Sequence, residues 1–191
     1  MSFYRRRLPH WQPDGASIFL TWRLRGSLPR TKIPGSVTGG QRFVLLDRQL
    51  DSAASGPTFL KNPLVADAVI ETFFIASNEW DLYELFAWVI MSNHVHLLIQ
   101  PLKSLSEITR AVKKTSARRA NLILGRSGLP FWQDESYDHW VRNGKQFDRI
   151  VQYIESNPVK AGLVDRAERW PWSSAFAGGQ VGNLPHSDFK Q

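Results

Sequence analysis

Hydrophobic and polar positions alternate between residues 17 and 24, where Ile18, Leu20, Trp22 and Leu24 share one side of the chain. That period of two predicts a strand, entered from the turn Asp14-Gly15. A Gly- and Pro-rich stretch from Gly26 to Gly40 reads as loop. Helical spacing follows from Arg42 to about Leu50. It returns more strongly from Asn62 to Trp80, where Val65, Val69, Phe73 and Ala76 recur at helical intervals. The apolar, aromatic run Leu82 to Met91 predicts a strand, and the Ser92-Asn93 break folds it into a hairpin with the run His94 to Ile99. Ser104 and Glu107 form a capping-box pattern opening a helix to about Leu124. One face carries Leu105, Ile108, Val112 and Ile123, and the other Arg110, Lys113, Lys114 and Arg118.

Beyond a break at Gly125 to Pro130, the aromatic segment Phe131 to Arg142 is β-like or irregular. A last helix begins near Asn143 with an apolar stripe of Phe147, Ile150, Val151 and Ile154, and Pro158 is expected to end it at Asn157. Trp170-Pro171-Trp172 reads as an aromatic latch. One domain over residues 1–175 and a flexible tail over 176–191 are expected.

Chemistry enters with the run Met91-Ser92-Asn93-His94-Val95-His96-Leu97-Leu98-Ile99. Alternate strand residues point to opposite faces, so His94 and His96 share one face while Val95, Leu97 and Ile99 fill the other. Two imidazoles so placed make half of a metal site. Far along the chain, Tyr153 and Asn157 lie four residues apart on the last helix and share a flank. Together these residues suggest a tyrosine nucleophile beside a metal.

Composition narrows the choice of metal and partner. With no cysteine, the chain offers neither thiolate ligands nor a thiol nucleophile, so any ion is held by His, carboxylate, amide or water. Mg²⁺ or Mn²⁺ suits such donors and keeps open positions for a phosphate. No carboxylate flanks the histidines in sequence, which weakens a zinc hydrolase. The long helices argue against a cupin-type oxygenase. The formal charge of +7 favours a polyanionic partner, nucleic acid first. No apolar run is long enough to span a membrane, and the N-terminal Arg5-Arg6-Arg7 leads into no secretory core. A cytoplasmic, nucleoid-associated protein is the expectation.

These motifs carry a resemblance. The opening Arg-Arg-x-Leu-Pro-His-Trp with the Phe-Leu-Thr-Trp-Arg-Leu strand, the Val-Ile-Met-Ser-Asn-His-Val-His-Leu-Leu-Ile run, Phe-Trp-Gln at 131–133 and Tyr-Ile-x-x-Asn-Pro-Val-Lys-Ala-Gly-Leu-Val from Tyr153 occur in one order. The sequence so resembles the single-tyrosine HUH-endonuclease transposases of the smallest bacterial insertion sequences, and within them the REP-associated tyrosine transposases. The resemblance implies an α+β fold, a central antiparallel sheet with packed helices of ferredoxin-like type. It implies that His94 and His96 bind the metal, that Tyr153 is the nucleophile and that Asn157 completes the metal shell, with water or His139 as substitutes. It also implies a single-stranded DNA substrate with a hairpin, as in repetitive extragenic palindromes, and a monomeric or dimeric enzyme. Arg5, Arg6, Arg7, Arg110, Lys113, Lys114 and Arg118 are the expected phosphate contacts, and Trp11, Trp132 and Trp140 the candidate base-stacking rings. The alternative is a DNA- or RNA-binding regulator on the same fold that does not cleave.

Overall fold

The structure is a computed structural model and describes residues 15–28, 39–53 and 55–176. Arg5, Arg6, Arg7, Trp11 and the expected tail from 177 onward lie outside the described residues. The elements are β1 (Ile18–Arg23), α1 (Gly39–Asp51), α2 (Pro63–Asn78), β2 (Tyr83–Ile90), β3 (His94–Pro101), α3 (Leu105–Ile123), β4 (Tyr137–Trp140) and α4 (Gly144–Lys160), with short 3₁₀ turns at Phe59–Lys61 and Ala167–Arg169. The four strands form one sheet in the order β2-β3-β1-β4, every pair antiparallel. That is the βαββαβ arrangement of a ferredoxin-like sheet, with α1 as an addition ahead of α2.

The two faces of the sheet divide the molecule. Val95, Leu97 and Ile99 of β3 and Ile18, Leu20 and Trp22 of β1 meet the apolar stripes of α2 and α3 in the main core. The opposite face carries Phe19, Ala87, Val89 and Leu98, covered by Phe147, Ile150, Val151 and Ile154 of α4 and by Phe43 of α1. His94 and His96 follow the parity of Leu98, so they face α1 and α4. The period of two read from the sequence therefore sets which layer holds the His pair.

The element ends follow local rules. Asn62, Ser104 and Asn143 cap α2, α3 and α4 by accepting from the N–H of Leu64, Glu107 and Gln146. The β2–β3 hairpin closes through Met91 N–H donating to His94 O at 2.9 Å, so Ser92 and Asn93 form its loop. The latch at Trp170–Trp172 is present. Ile90 N–H donates to Trp172 O and Ser174 N–H to Trp88 O, covering the outer edge of β2.

Two sequence expectations fail. Pro158 lies inside α4, which runs on to Lys160. Only the Pro158 nitrogen loses its bond, and it lies in the last turn, where the cost is small. The helix ends instead in a Schellman motif, with Leu163 N–H donating to Pro158 O, Gly162 N–H to Val159 O, and Gly162 at φ +69°. Ile123 is also 40 % exposed rather than on the buried stripe of α3. Ser116, Ala120 and Asn121 continue that stripe because the 126–134 segment folds over them. Among the described residues no helix is long and apolar enough to cross a membrane.

Candidate metal and nucleophile site

The site is assembled by β3, α1 and α4. His96 sits mid-sheet between Thr21 of β1 and Val89 of β2, with Phe19 stacked on its ring at 5.4 Å. Its Nδ1 meets Thr21 Oγ1 at 2.7 Å, which aims Nε2 into the space beneath α1. His94 is held in the same way by its neighbour. Its Nδ1 lies 2.7 Å from Asn93 Oδ1, and Asn93 Nδ2 donates to Leu50 O at 3.0 Å. The Leu50 carbonyl fixes which way the amide turns, so Oδ1 must accept from His94 Nδ1–H. The proton is then on Nδ1, and Nε2 presents a lone pair. Partners of this kind orient metal-ligating imidazoles. In the sequence Asn93 is a turn residue, and only its place beside His94 signals this role.

Both Nε2 atoms point at carboxylates that the sequence reading did not anticipate. Asp47 Oδ1 lies 3.3 Å from His96 Nε2 and 3.7 Å from His94 Nε2, and Asp51 Oδ1 lies 3.6 Å from His94 Nε2. His94 and His96 are 0 % exposed and Asp47 3 %. Those two nitrogens and both Oδ1 atoms are buried without a hydrogen-bond partner. Asp47, His94 and His96 offer ligand atoms that all lie within 4.8 Å of one another. For a bond of about 2.1 Å, adjacent ligand atoms on an octahedral ion stand about 3 Å apart, so two imidazole nitrogens and a carboxylate oxygen at these spacings fit a small divalent cation. A sequence signal for Asp47 did exist. It falls on the face of α1 that carries Phe43 and Leu50, where a charge has no ordinary reason to be.

The candidate nucleophile stands beside this group. Tyr153 is half-buried on α4 and its hydroxyl donates a hydrogen bond to Asp47 Oδ2. Burial, reinforced by the charges of Asp47 and Asp51, pushes its phenol above the ordinary value, so it is a neutral donor here. For Asp47 burial acts upward, but attraction to His96 and His94 and the Tyr153 hydrogen bond hold its carboxyl below the usual range. Asp51 is pushed up to about 7 by burial and by Asp47. Burial, with His96, brings His94 down to about 3. Lys160, two turns after Tyr153, places Nζ 4.5 Å over the phenol ring.

The remaining sequence candidates separate. Asn157 is 1 % exposed on the same flank of α4, and its side-chain atoms meet no hydrogen-bond partner of normal geometry. His139 instead meets the Gln146 amide at 2.7 Å and stands outside the metal group. Trp132 is a core residue whose indole donates to Ser116 Oγ, and Trp140 packs half-buried against the same core. Tyr137 stacks on Phe43 at 4.3 Å, on the face of the His pair. Arg110, Lys114 and Arg118 are exposed along an open cleft of about 1240 Å³ between α3 and the 126–134 segment, joined by Arg25. Lys113 turns its ammonium onto the carbonyls of Gln133 and Asp134, at 2.6 and 2.9 Å, and clips that segment to α3. Because α3 packs on the main core, this basic cleft and the His pair belong to opposite sides of the sheet.

With this geometry in place, the sequence profile of the family described as "Transposase IS200 like" matches residues 58–157, from the turn before α2 to Asn157. The chain belongs to this transposase family. It is 32 % identical over 95 residues to the REP-associated tyrosine transposase of Escherichia coli (strain K12), a match covering 48 % of this chain and 54 % of that protein. It is 30 % identical over 106 residues to a putative REP-associated tyrosine transposase of Haemophilus influenzae, covering 48 % of this chain and 58 % of that one. The chain thus spans about half the length of the curated relatives it matches. Its fold is shared with a solved REP-associated tyrosine transposase bound to a REP hairpin, at a TM-score of 0.55 and 23 % identity over 97 % of this chain and 96 % of that one. Asp47 and Asp51 precede the segment that the IS200-like profile matches.

Proposed function

We propose that this IS200-like transposase is a metal-dependent enzyme that nicks and rejoins single-stranded DNA through Tyr153. The observation that carries the reading is the convergence of His94, His96 and the Tyr153 hydroxyl on one buried acidic group, from β3 and α4. His94 and His96, with an oxygen from Asp47 or Asn157, would hold Mg²⁺ or Mn²⁺. When bound, such an ion polarises the scissile phosphate and stabilises the oxygen that leaves.

The chain's own residues do the rest. The α4 stripe fixes Tyr153 against the sheet, and an oriented nucleophile needs less ordering on the way to the transition state. The Tyr153 Oη–phosphorus bond forms as the bond from phosphorus to the 3′-oxygen breaks. The result is a 5′-phosphotyrosine and a free 3′-hydroxyl, and the phenolic proton ends, net, on that hydroxyl. The ester energy is retained, so attack by another 3′-hydroxyl rejoins strands without a nucleotide cofactor. The basic cleft along α3 supplies phosphate contacts, so binding and chemistry use opposite sides of the sheet. A hairpin is the expected substrate feature, since relatives at 32 % and 30 % identity are named for REP association.

The test is a denaturing gel after incubating the protein with hairpin-containing single-stranded DNA and Mn²⁺. A covalent protein–DNA adduct is expected. Tight binding with no adduct under any divalent ion would replace this reading with the non-cleaving regulator.

A further inference from the structure

His94 presents a lone pair at Nε2, and the atoms facing it are carboxylate oxygens of Asp47 and Asp51 at 3.7 and 3.6 Å. A lone pair facing a buried carboxylate oxygen is repulsive, and neither His94 Nε2 nor the two Oδ1 atoms have a hydrogen-bond partner to compensate. A cation between them reverses the sign of the interaction. Asp47 is the better placed of the two, because its Oδ1 lies close to both imidazoles while its Oδ2 accepts from Tyr153. Asp51 faces His94 alone and is partly open to solvent.

The same carboxylate decides how α1 sits. Among the described residues, this helix meets the sheet and α4 through Phe43 against Phe19, His96, Tyr137 and Tyr153, the buried Leu50, and the Leu50 carbonyl accepting from Asn93. Asp47 lies between these anchors, so a charge shared with a cation would become the central fastening of α1.

We propose that Asp47 of α1 is an anionic ligand of the divalent cation at His94 and His96, so that cation binding fastens α1 onto the sheet. The inference rests on the reading that the two histidines hold that cation. It goes further in replacing a neutral two-His and amide shell with a charged one, and in giving the segment ahead of the family-matched region a part in the site. A carboxylate strengthens retention of a hard ion over an amide alone.

Calorimetric titration of the full chain with MnCl₂, without DNA, separates the possibilities. Asp47→Asn is expected to weaken Mn²⁺ binding at least tenfold, Asp51→Asn by less than threefold, and His94→Ala to abolish it. Hydrogen exchange of the wild type should show Mn²⁺ protecting the amides of residues 43–51. If Asp47→Asn binds Mn²⁺ within twofold of wild type while His94→Ala does not bind, Asp47 is no ligand and the histidine reading survives. If the wild type binds no Mn²⁺, or His94→Ala binds it normally, the underlying reading fails. Should Asp47→Asn lose its circular dichroism signal, the wild-type exchange experiment decides, and an α1 that Mn²⁺ leaves unprotected overturns the proposal.

Discussion

Two residues with the same functional group divide the chemistry. Tyr137 and Tyr153 both lie on the face of the sheet that carries the His pair, but only Tyr153 places its hydroxyl on Asp47. Tyr137 is spent in a ring stack with Phe43, and its phenol is pushed up by burial and by Asp138. Tyr153→Phe, which removes one oxygen, is therefore expected to fold and bind DNA normally yet form no covalent adduct, whereas Tyr137→Phe keeps the adduct. Mass spectrometry of the nuclease-trimmed product checks this, and a nucleotide on Tyr137 would refute it. Asn93 acts one bond further out, by holding His94 in the tautomer with a free Nε2. Asn93→Ala should weaken Mn²⁺ affinity by roughly 10- to 100-fold, the usual effect of losing such a partner. Calorimetry reads that change, and an unchanged affinity would mean the ring is oriented by packing alone.

At the level of elements, helix ends and helix faces can be tested separately. Gly162 closes α4 at φ +69°, and a Cβ there would meet no atom within 4 Å. Gly162→Ala therefore isolates the backbone cost of the left-handed conformation, about 1 kcal/mol, readable by urea denaturation. No loss would show that the motif relaxes freely. The basic face of α3 behaves differently along its length. Arg110, Lys114 and Arg118 are exposed, so changing all three to Gln should weaken DNA binding and lower the slope of log affinity against log salt by about 0.7–0.9 per lost phosphate contact. Lys113 holds the 133–134 carbonyls, so Lys113→Met should reduce stability more than it changes that slope. A triple variant with the wild-type salt slope would show the face to be merely solvated.

For the whole molecule, a cation held as proposed would add a polar fastening to the α1–sheet–α4 side, which the smaller apolar cluster otherwise joins. The main core lies between the sheet and α2–α3, while the site joins α1, β3 and α4 on the other side. A ligand that binds only the folded state stabilises it by mass action. At 100 times its dissociation constant, Mn²⁺ adds about 2.7 kcal/mol, roughly 5–10 °C in melting temperature for a chain of this size. Differential scanning fluorimetry should show that rise for the wild type and its absence in His96→Ala. Thorough treatment with EDTA should remove cleavage while leaving much of the DNA affinity, because Lys and Arg contacts to the backbone do not pass through the ion. Full cleavage in EDTA would end the metal assignment.

What the sequence determined by itself is what short-range periodicity encodes. The alternation through β1 and β3 set the parity of His94 and His96, the stripe on α4 oriented Tyr153, and the capping box at Ser104 located the start of α3. Each of these depends on bonds and side-chain directions within about one turn or one strand. The helix end at Gly162 escaped because proline in a final turn removes a single bond, which the Schellman closure tolerates. The tertiary structure decided which distant residues meet. Asp47 stands 47 positions before His94, and on an isolated helix its carboxylate is one more solvated charge. Only when α1 lies across β3 does that carboxylate face two buried imidazoles and a phenol. Lys113 is the converse case, a cation that reads as solvated until the 126–134 segment brings carbonyls to it. Burial and partnership are properties of the assembled layers, and no local pattern fixes them.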